Sequence, residues 1–114
     1  MTLYLLRQES LTRYIEHTTE TVFLDVEAGR EKAHAKHGEN SIESVAATDF
    51  GKWLAILGEE HGEVCHALTY DQSTTMGELM DKLRAELIDV ATVATAWIAA
   101  IDTWMEPNGE ELGA

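Results

Sequence analysis

The sequence has few of the residues that interrupt helices or cross-link small folds. Among its 114 residues there is one proline, Pro107, and one cysteine, Cys65. A single cysteine cannot form an intramolecular disulfide, so the fold has to rest on an apolar core. A chain of this length buries roughly two-thirds of its unfolded surface, which is enough for one such core. We therefore expect a single domain over residues 1–114.

Basic residues are also scarce. Eight Lys and Arg oppose 21 Asp and Glu, for a formal net charge of −13. Such a surface repels phosphate backbones and anionic lipids, which argues against nucleic-acid and membrane partners. No apolar run approaches the ~20 residues that span a bilayer, and the N-terminus carries its charge after its apolar residues, unlike a signal peptide. We expect a soluble, cytoplasmic protein.

Helical periodicity dominates the rest of the chain. Apolar residues recur every three or four positions, and no stretch alternates as a strand does. The pattern predicts an all-α fold with helices at about residues 2–17, 19–37, 48–70 and 76–105. We interpret it as an antiparallel four-helix-type bundle that has an extra N-terminal helix at residues 1–18 and a flexible tail at residues 106–114.

Local signals support the predicted helix ends. Gly38 follows two cationic side chains, which is typical of a helix C-terminus. Thr75 and Glu78 have the spacing of a capping box, in which each side chain bonds a free amide at the start of a helix. Pro107 is predicted to end the last helix, because it lacks an amide hydrogen.

Two helices carry a glutamate in the middle of an apolar stripe. Glu60 completes one stripe and Glu86 completes the other. Each is followed three residues later by a second acid on the same side, Glu63 and Asp89. The apolar positions are Trp53, Leu57, Val64 and Ala67 on the third helix and Leu79, Leu83, Val90, Val93, Trp97, Ile101 and Trp104 on the fourth.

Packing these two stripes together would place four carboxylates in one cavity. A buried, unpaired carboxylate costs several kcal/mol, and the chain offers few nearby cations. A hard divalent ion is the simplest way to hold the charge, and Mg²⁺, with Mn²⁺ as an alternative, takes oxygen ligands of this kind. A single acid of this sort is often an edge-of-core residue with its head in solvent; two matched pairs favour the metal interpretation.

The acidic residues resemble a known signature. The segment EEHGE (residues 59–63), followed after 22 residues by ELID (residues 86–89), resembles the EExxE…ExxD motif of the all-α nucleoside triphosphate pyrophosphatases, the MazG-like and dimeric dUTPase superfamily. The segments REKAHAKHG, WLAILGEEHGEV and LRAELIDVATVATAWIAAID look like those of its short bacterial and phage members. The resemblance covers about residues 27–104.

The resemblance implies a fold, an activity and a metal. Family members are helical subunits that form homodimers or homotetramers, bind Mg²⁺ and cleave a nucleoside or deoxynucleoside triphosphate to the monophosphate and pyrophosphate, as in cleansing of the nucleotide pool. By position, Glu60, Glu63, Glu86 and Asp89 would be metal ligands. Glu59, Glu60 and Glu63 would be catalytic, with Glu59 orienting a water or binding a further ion.

Residues for the substrate are less strongly indicated. Arg30 and Lys36, with Lys32 between them, precede Gly38, and Lys52 precedes the acids, so each is a candidate for phosphate binding, although an ordinary solvated charge is an equal alternative. Trp53 is a candidate for stacking on a base, although a tryptophan on such a stripe is more often core. Trp97 and Trp104 are assigned to the core or to a subunit interface.

Two features depart from the family pattern. His61 occupies a position that is usually apolar in the motif. The tail at residues 106–114 lacks the basic and Asn positions with which many relatives hold phosphate. Both departures bear on the triphosphate assignment more than on the metal, and a bundle that has lost its activity is compatible with them.

Two other functions remain open at this point. Glu31 and His34, like Glu63 and His66, have the Glu-x-x-His spacing of ferritin-like di-iron sites, in which His34 would be a ligand. A helical interaction module, whose buried acids only fix helix register or partner choice, is the non-enzyme alternative. Iron retained on purification would favour the di-iron site. Stability and binding that do not depend on any metal would favour the interaction module.

Overall fold

The computed structural model describes residues 3–113, with side-chain surroundings for residues 8–107, and its regular structure there is entirely helical. The long helices are α1 (Leu3–His17), α2 (Phe23–His37), α3 (Phe50–Thr69) and α4 (Met76–Gly113). A π turn at Thr18–Val22 joins α1 to α2, and 3-10 turns at Gly38–Asn40 and Ile42–Ser44 follow α2. The all-α prediction is confirmed.

Three of the helices, α2, α3 and α4, pack together. Asp25 bonds Arg84 and Gly29 lies against Thr92, so α2 runs parallel to α4. Trp53 stacks on Trp97, while the carboxylate of Glu60, seven residues after Trp53, lies near acids of α4 that precede Trp97, so α3 runs antiparallel to α4. Both α2 and α3 make their main contacts with α4 rather than with each other, and a cleft is left between them.

The core lies at the seam between α3 and α4. Trp53 is fully buried, and Val45, Val93 and Ala96 form the same cluster. The indole rings of Trp53 and Trp97 are stacked, with centroids 5.7 Å apart and planes 3° from parallel. The Trp53 Nε1–H also donates to the carbonyl of Ala46 at 3.0 Å, which fixes the loop before α3 onto the core.

The predicted helix ends are confirmed at two places. Gly38 caps α2 with a φ of 55°, a left-handed conformation that glycine adopts without a steric penalty. Thr75 Oγ1 accepts a hydrogen bond from the Glu78 amide at 3.1 Å. The Glu78 carboxylate reaches back to the amide of Thr74 at 2.9 Å, and these bonds lower its pKa.

The prediction that Pro107 ends the last helix is wrong, because α4 continues through it to Gly113. A proline removes its own amide bond and crowds the carbonyl four residues earlier, which weakens a helix at one point without preventing it from continuing. The expected non-helical tail is therefore helical over residues 106–113, and Ala114 lies outside the described residues.

By length and composition, α4 is apolar enough to cross a membrane. Within Met76–Pro107, an 18-residue window has a mean hydropathy of 1.3, and 17% of it is buried in the single chain. Core helices of soluble proteins meet the same criteria, so composition alone does not assign a location.

Candidate metal centre

Three carboxylates meet at the α3–α4 seam. Glu60 on α3 and Glu86 and Asp89 on α4 place one oxygen each within 4.8 Å of one another. Glu60 and Glu86 are half-buried, whereas Asp89 is exposed. Oxygen ligands of a Mg²⁺ ion stand 2.0–2.1 Å from the metal and so about 3–4 Å from one another. The cluster therefore has the donor chemistry of a hard cation and nearly its spacing.

The cluster carries uncompensated negative charge. The pKa of Glu60 is raised by its loss of hydration and then by the charges of Asp89, Glu59, Glu63 and Glu86. Within the side chains that the structure describes, the salt bridges join Arg30 to Glu43, Lys82 to Asp71 and Arg84 to Asp25, and none reaches the cluster. A bound cation would remove this repulsion.

The two other predicted acids lie beside the cluster rather than in it. Glu63, predicted as a metal ligand, is exposed one turn beyond Glu60 and does not belong to the group of three. Glu59 lines the cleft next to Glu60. Both are near enough to raise the pKa of Glu60, so they belong to the same electrostatic site.

The cleft beside the cluster has walls of opposite charge. It encloses about 570 Å³ between α2 and α3, with α4 as its floor. Glu59, Glu60 and Asp89 lie on one side, and Lys32, Lys36 and His37 lie on α2 at the other. In the sequence, Lys32 and Lys36 stand four residues apart and therefore share one helix face.

A close contact between α2 and α4 fixes the floor of the cleft. A Cβ placed on Gly29 would come within 2.9 Å of the Thr92 hydroxyl, so glycine permits this separation. That hydroxyl is itself fixed, because it donates to the Ile88 carbonyl at 2.7 Å. Since Gly29 and Thr92 both line the cleft, this contact sets the distance between the basic residues of α2 and Asp89.

Of the residues predicted to bind substrate, the structure places Lys36 and its neighbour Lys32 in the cleft. Arg30 instead pairs with Glu43, with bonds of 2.7 and 2.9 Å that lower the pKa of the Glu43 carboxyl. Lys52 is exposed in the first turn of α3, away from the lining residues, and Trp53 is fully buried in the core. Sequence reasoning missed His37, although it adjoins Lys36.

The Glu-x-x-His pairs do not converge. His34 Nδ1 lies 3.0 Å from the Ser41 hydroxyl, and Glu31 and His34 line a separate cavity of about 250 Å³. His66 packs against the ring of Tyr70, with centroids 4.7 Å apart. Of the described residues, no group that could hold a metal contains a histidine, so nothing in the geometry favours a di-iron site.

Comparisons with known protein families, curated proteins and solved structures find no match to this chain.

Proposed function

We propose that the chain is a Mg²⁺-dependent nucleoside triphosphate pyrophosphohydrolase, which cleaves a nucleoside or deoxynucleoside triphosphate to the monophosphate and pyrophosphate. The observation that carries this proposal is the cleft whose acidic wall faces a basic wall across a floor supplied by α4. A triphosphate needs cations on several oxygens at once, and a metal on one side with lysines on the other provides them.

Glu60, Glu86 and Asp89 would hold the ion. Their donors are all carboxylate oxygens, which suits Mg²⁺ or Mn²⁺ better than iron or zinc. A bound ion would neutralise charge on the phosphate oxygens and would lower the pKa of a water, which attacks phosphorus more readily once it has lost a proton. The exposed Glu63 next to the cluster would complete the ligand set or hold a further ion.

The protein's own side chains would do the rest. Lys32 and Lys36 would bind phosphate oxygens and orient the chain of phosphates along the cleft. Glu59 lines the same cleft one residue from Glu60, and as a free carboxylate it would orient the attacking water and accept its proton. No protein nucleophile is needed for this reaction.

The nucleoside would lie against the neutral lining residues Asn40, Ile42 and Ile56. The lining residues that the structure describes include no Phe, Tyr or Trp, and His37 is the one ring among them, so the cleft offers little surface for stacking on a base. The proposed substrate is therefore defined by its triphosphate, and the choice of base is left to the assay.

We also propose that the chain is cytoplasmic and works as a homodimer or homotetramer. Three packed helices leave much of α4 uncovered, and helices from another copy would complete a four-helix bundle. A large exposed apolar area on a soluble chain is typical of a surface that is covered in the native assembly.

The decisive experiment incubates the protein with a panel of canonical and modified nucleoside triphosphates, with Mg²⁺ or Mn²⁺, and measures pyrophosphate and monophosphate together. We expect equal amounts of both products from at least one triphosphate, and none after addition of a chelator. Orthophosphate as the product would contradict the reaction type. If wild type releases no more product than a Glu86→Gln variant from any triphosphate of the panel, the proposal is wrong and the interaction module is favoured.

A further inference from the structure

The single chain has a larger accessible surface and a larger radius of gyration than a compact protein of its mass. It exposes 8634 Å², about 2,400 Å² more than the ~6,200 Å² expected for a compact protein of 12.7 kDa. Its radius of gyration is 18.0 Å, against about 13 Å for a compact chain of this length. The excess is larger than the roughly 800 Å² per partner of a standard protein–protein interface. We therefore expect the excess surface to be covered by another molecule.

Part of the excess is an apolar groove on α4. The groove encloses about 400 Å³ beside the π turn. Met80 and Leu87 in it are 55% and 48% exposed. Its lining is almost wholly apolar and consists of Val22, Met80, Leu83, Arg84, Leu87, Ile88 and Ala91. From residue 80 to residue 91 the groove is about 17 Å long.

The other part is α1. This helix makes its substantial contacts with the π turn, within residues 3–113, and projects past the three packed helices. Leu11, Tyr14 and Ile15 form an apolar stripe on it and are 52%, 71% and 55% exposed. Glu9 and Glu16 lie on the opposite side of the helix. Its 15 residues span about 22 Å, which is enough to fill the groove.

Helix α1 (Leu3–His17), which we call the arm, cannot fill the groove of its own chain. Val22, at the end of the π turn, already lines the groove. The backbone is helical from α1 through the π turn into α2, so α1 extends away from the groove of its own chain. A return would need a reversal within the five residues of the π turn, which are themselves helical. The hydroxyls of Thr18 and Thr19 bond the carbonyls of Tyr14 and Ile15, a pattern that bends helices modestly rather than reversing them.

We infer that the α1 arm of each chain docks in the α4 groove of a second copy, so that two chains exchange arms around a two-fold axis. Both surfaces are apolar and the helix is longer than the groove, so exchange would cover both surfaces in one step. This inference rests on the self-association proposed above and names the surfaces that produce it. It makes no use of the cleft, which opens between α2 and α3.

Light scattering at micromolar concentration tests the inference on the full chain. Wild type should have a mass of at least twice 12.7 kDa. Ile15→Glu in the arm and Leu87→Glu in the groove should each reduce it to 12.7 kDa, because each places a charge in the apolar contact. Arg13→Gln changes the net charge by the same amount on the opposite side of the helix and should leave the mass unchanged. Far-UV circular dichroism checks that each variant is helical.

Cross-linking distinguishes exchanged arms from other assemblies. In a Cys65→Ser background, chains with Ile15→Cys are mixed with chains with Leu87→Cys and oxidised. A disulfide-linked dimer of the two kinds should be the main product of the mixture and should be much reduced in either sample alone. Arg13→Cys mixed with Leu87→Cys is the control and should give little, because residue 13 lies on the opposite side of the helix from the stripe.

A monomeric wild type overturns the inference. An oligomer whose mass is unchanged by Ile15→Glu also overturns it, even if Leu87→Glu dissociates that oligomer. Equal cross-linking from Arg13→Cys and Ile15→Cys overturns it as well. The activity assay keeps the two proposals separate. A monomer that still releases pyrophosphate removes only this inference, whereas an arm-linked dimer that hydrolyses no triphosphate removes only the proposed activity.

Discussion

The two walls of the cleft are built differently. The acidic wall combines residues from α3 and α4, the helices that enclose the core, and its central carboxylate, Glu60, is half-buried and crowded by other charges. The basic wall belongs to α2 alone, and Lys32 and Lys36 on it are exposed. The packing of α3 on α4 fixes the positions of the acids, whereas the lysines are held only by their helix. The proposed metal site would thus be preorganised, and the proposed phosphate contacts would form only when a ligand binds.

The largest expected effect comes from breaking the acidic wall. Glu86→Gln keeps the shape of the side chain but removes one charged ligand from the group of three. Loss of an outer-sphere partner typically costs 10–100-fold, so loss of a ligand should reduce pyrophosphate release by more than about 100-fold. Initial rates at saturating Mg²⁺ measure this, with Glu106→Gln, distant from the cleft, as the control. A rate within a few-fold of wild type would exclude Glu86 as a ligand.

The same wall should make the fold respond to metal. At a free Mg²⁺ concentration of about a hundred times its dissociation constant, binding adds about 2.7 kcal/mol to the free energy of unfolding. For a domain near 100 residues this raises the melting temperature by on the order of 10 °C.

Thermal melts of Glu60→Gln sharpen that prediction. The variant should melt higher than wild type in EDTA, because a repelled charge is gone, and should lose most of the response to Mg²⁺. If it melts lower in EDTA and responds as wild type does, Glu60 is an ordinary edge-of-core acid.

Breaking the basic wall should have a smaller effect that appears mainly in substrate binding. A hydrogen bond to a charged group contributes about 1.5–3 kcal/mol, so Lys36→Gln should raise KM at least about tenfold with a smaller change in kcat. Lys52→Gln removes the same charge away from the lining residues and should leave KM unchanged. Equal effects of the two variants would mean that the wall acts only through net charge.

The smallest effect is the pH dependence of stability without metal. The pKa of Glu60 in the folded protein lies above its ordinary value of 4.5, so the folded state binds more protons than the unfolded state between those two pKa values. Stability should therefore fall as pH rises through that window. Melts of wild type and Glu60→Gln in EDTA should coincide below it and diverge above it, with wild type the less stable. Parallel curves would show that Glu60 is not perturbed.

The sequence was sufficient to predict the helices and the acids. The predicted bounds of α1 and α3 and the predicted C-terminus of α2 lie within two residues of the observed ones, because apolar periodicity and glycine or threonine caps are local properties. The start of α2 was predicted at residue 19 and lies at Phe23, because the π turn at Thr18–Val22 precedes it. Glu60, Glu86 and Asp89 were predicted because a charge that interrupts an apolar stripe is visible without knowing the partner helix. The structure brings these three together and leaves Glu63 at the edge.

Tertiary features were harder to predict. The cleft exists because α2 and α3 both pack on α4 and hardly on each other, which no local pattern encodes. The pairing of Arg30 with Glu43 depends on the path of the chain after Gly38, so the sequence could not show that Arg30 is engaged elsewhere. Pro107 shows the converse error, in which a strong local signal did not decide the end of a helix.

The stacked pair of Trp53 and Trp97 spans the seam that carries the acids. Trp53 lies two turns before Glu60 on α3, and Trp97 lies two turns after Asp89 on α4. Parallel indoles 5.7 Å apart couple their electronic transitions, so their near-ultraviolet dichroism and fluorescence depend on the offset between the two rings. If a bound ion draws Glu60 towards Asp89 and shifts α3 against α4, that offset should change. The tryptophan pair would therefore report optically, without any label, on ion binding at the proposed metal centre.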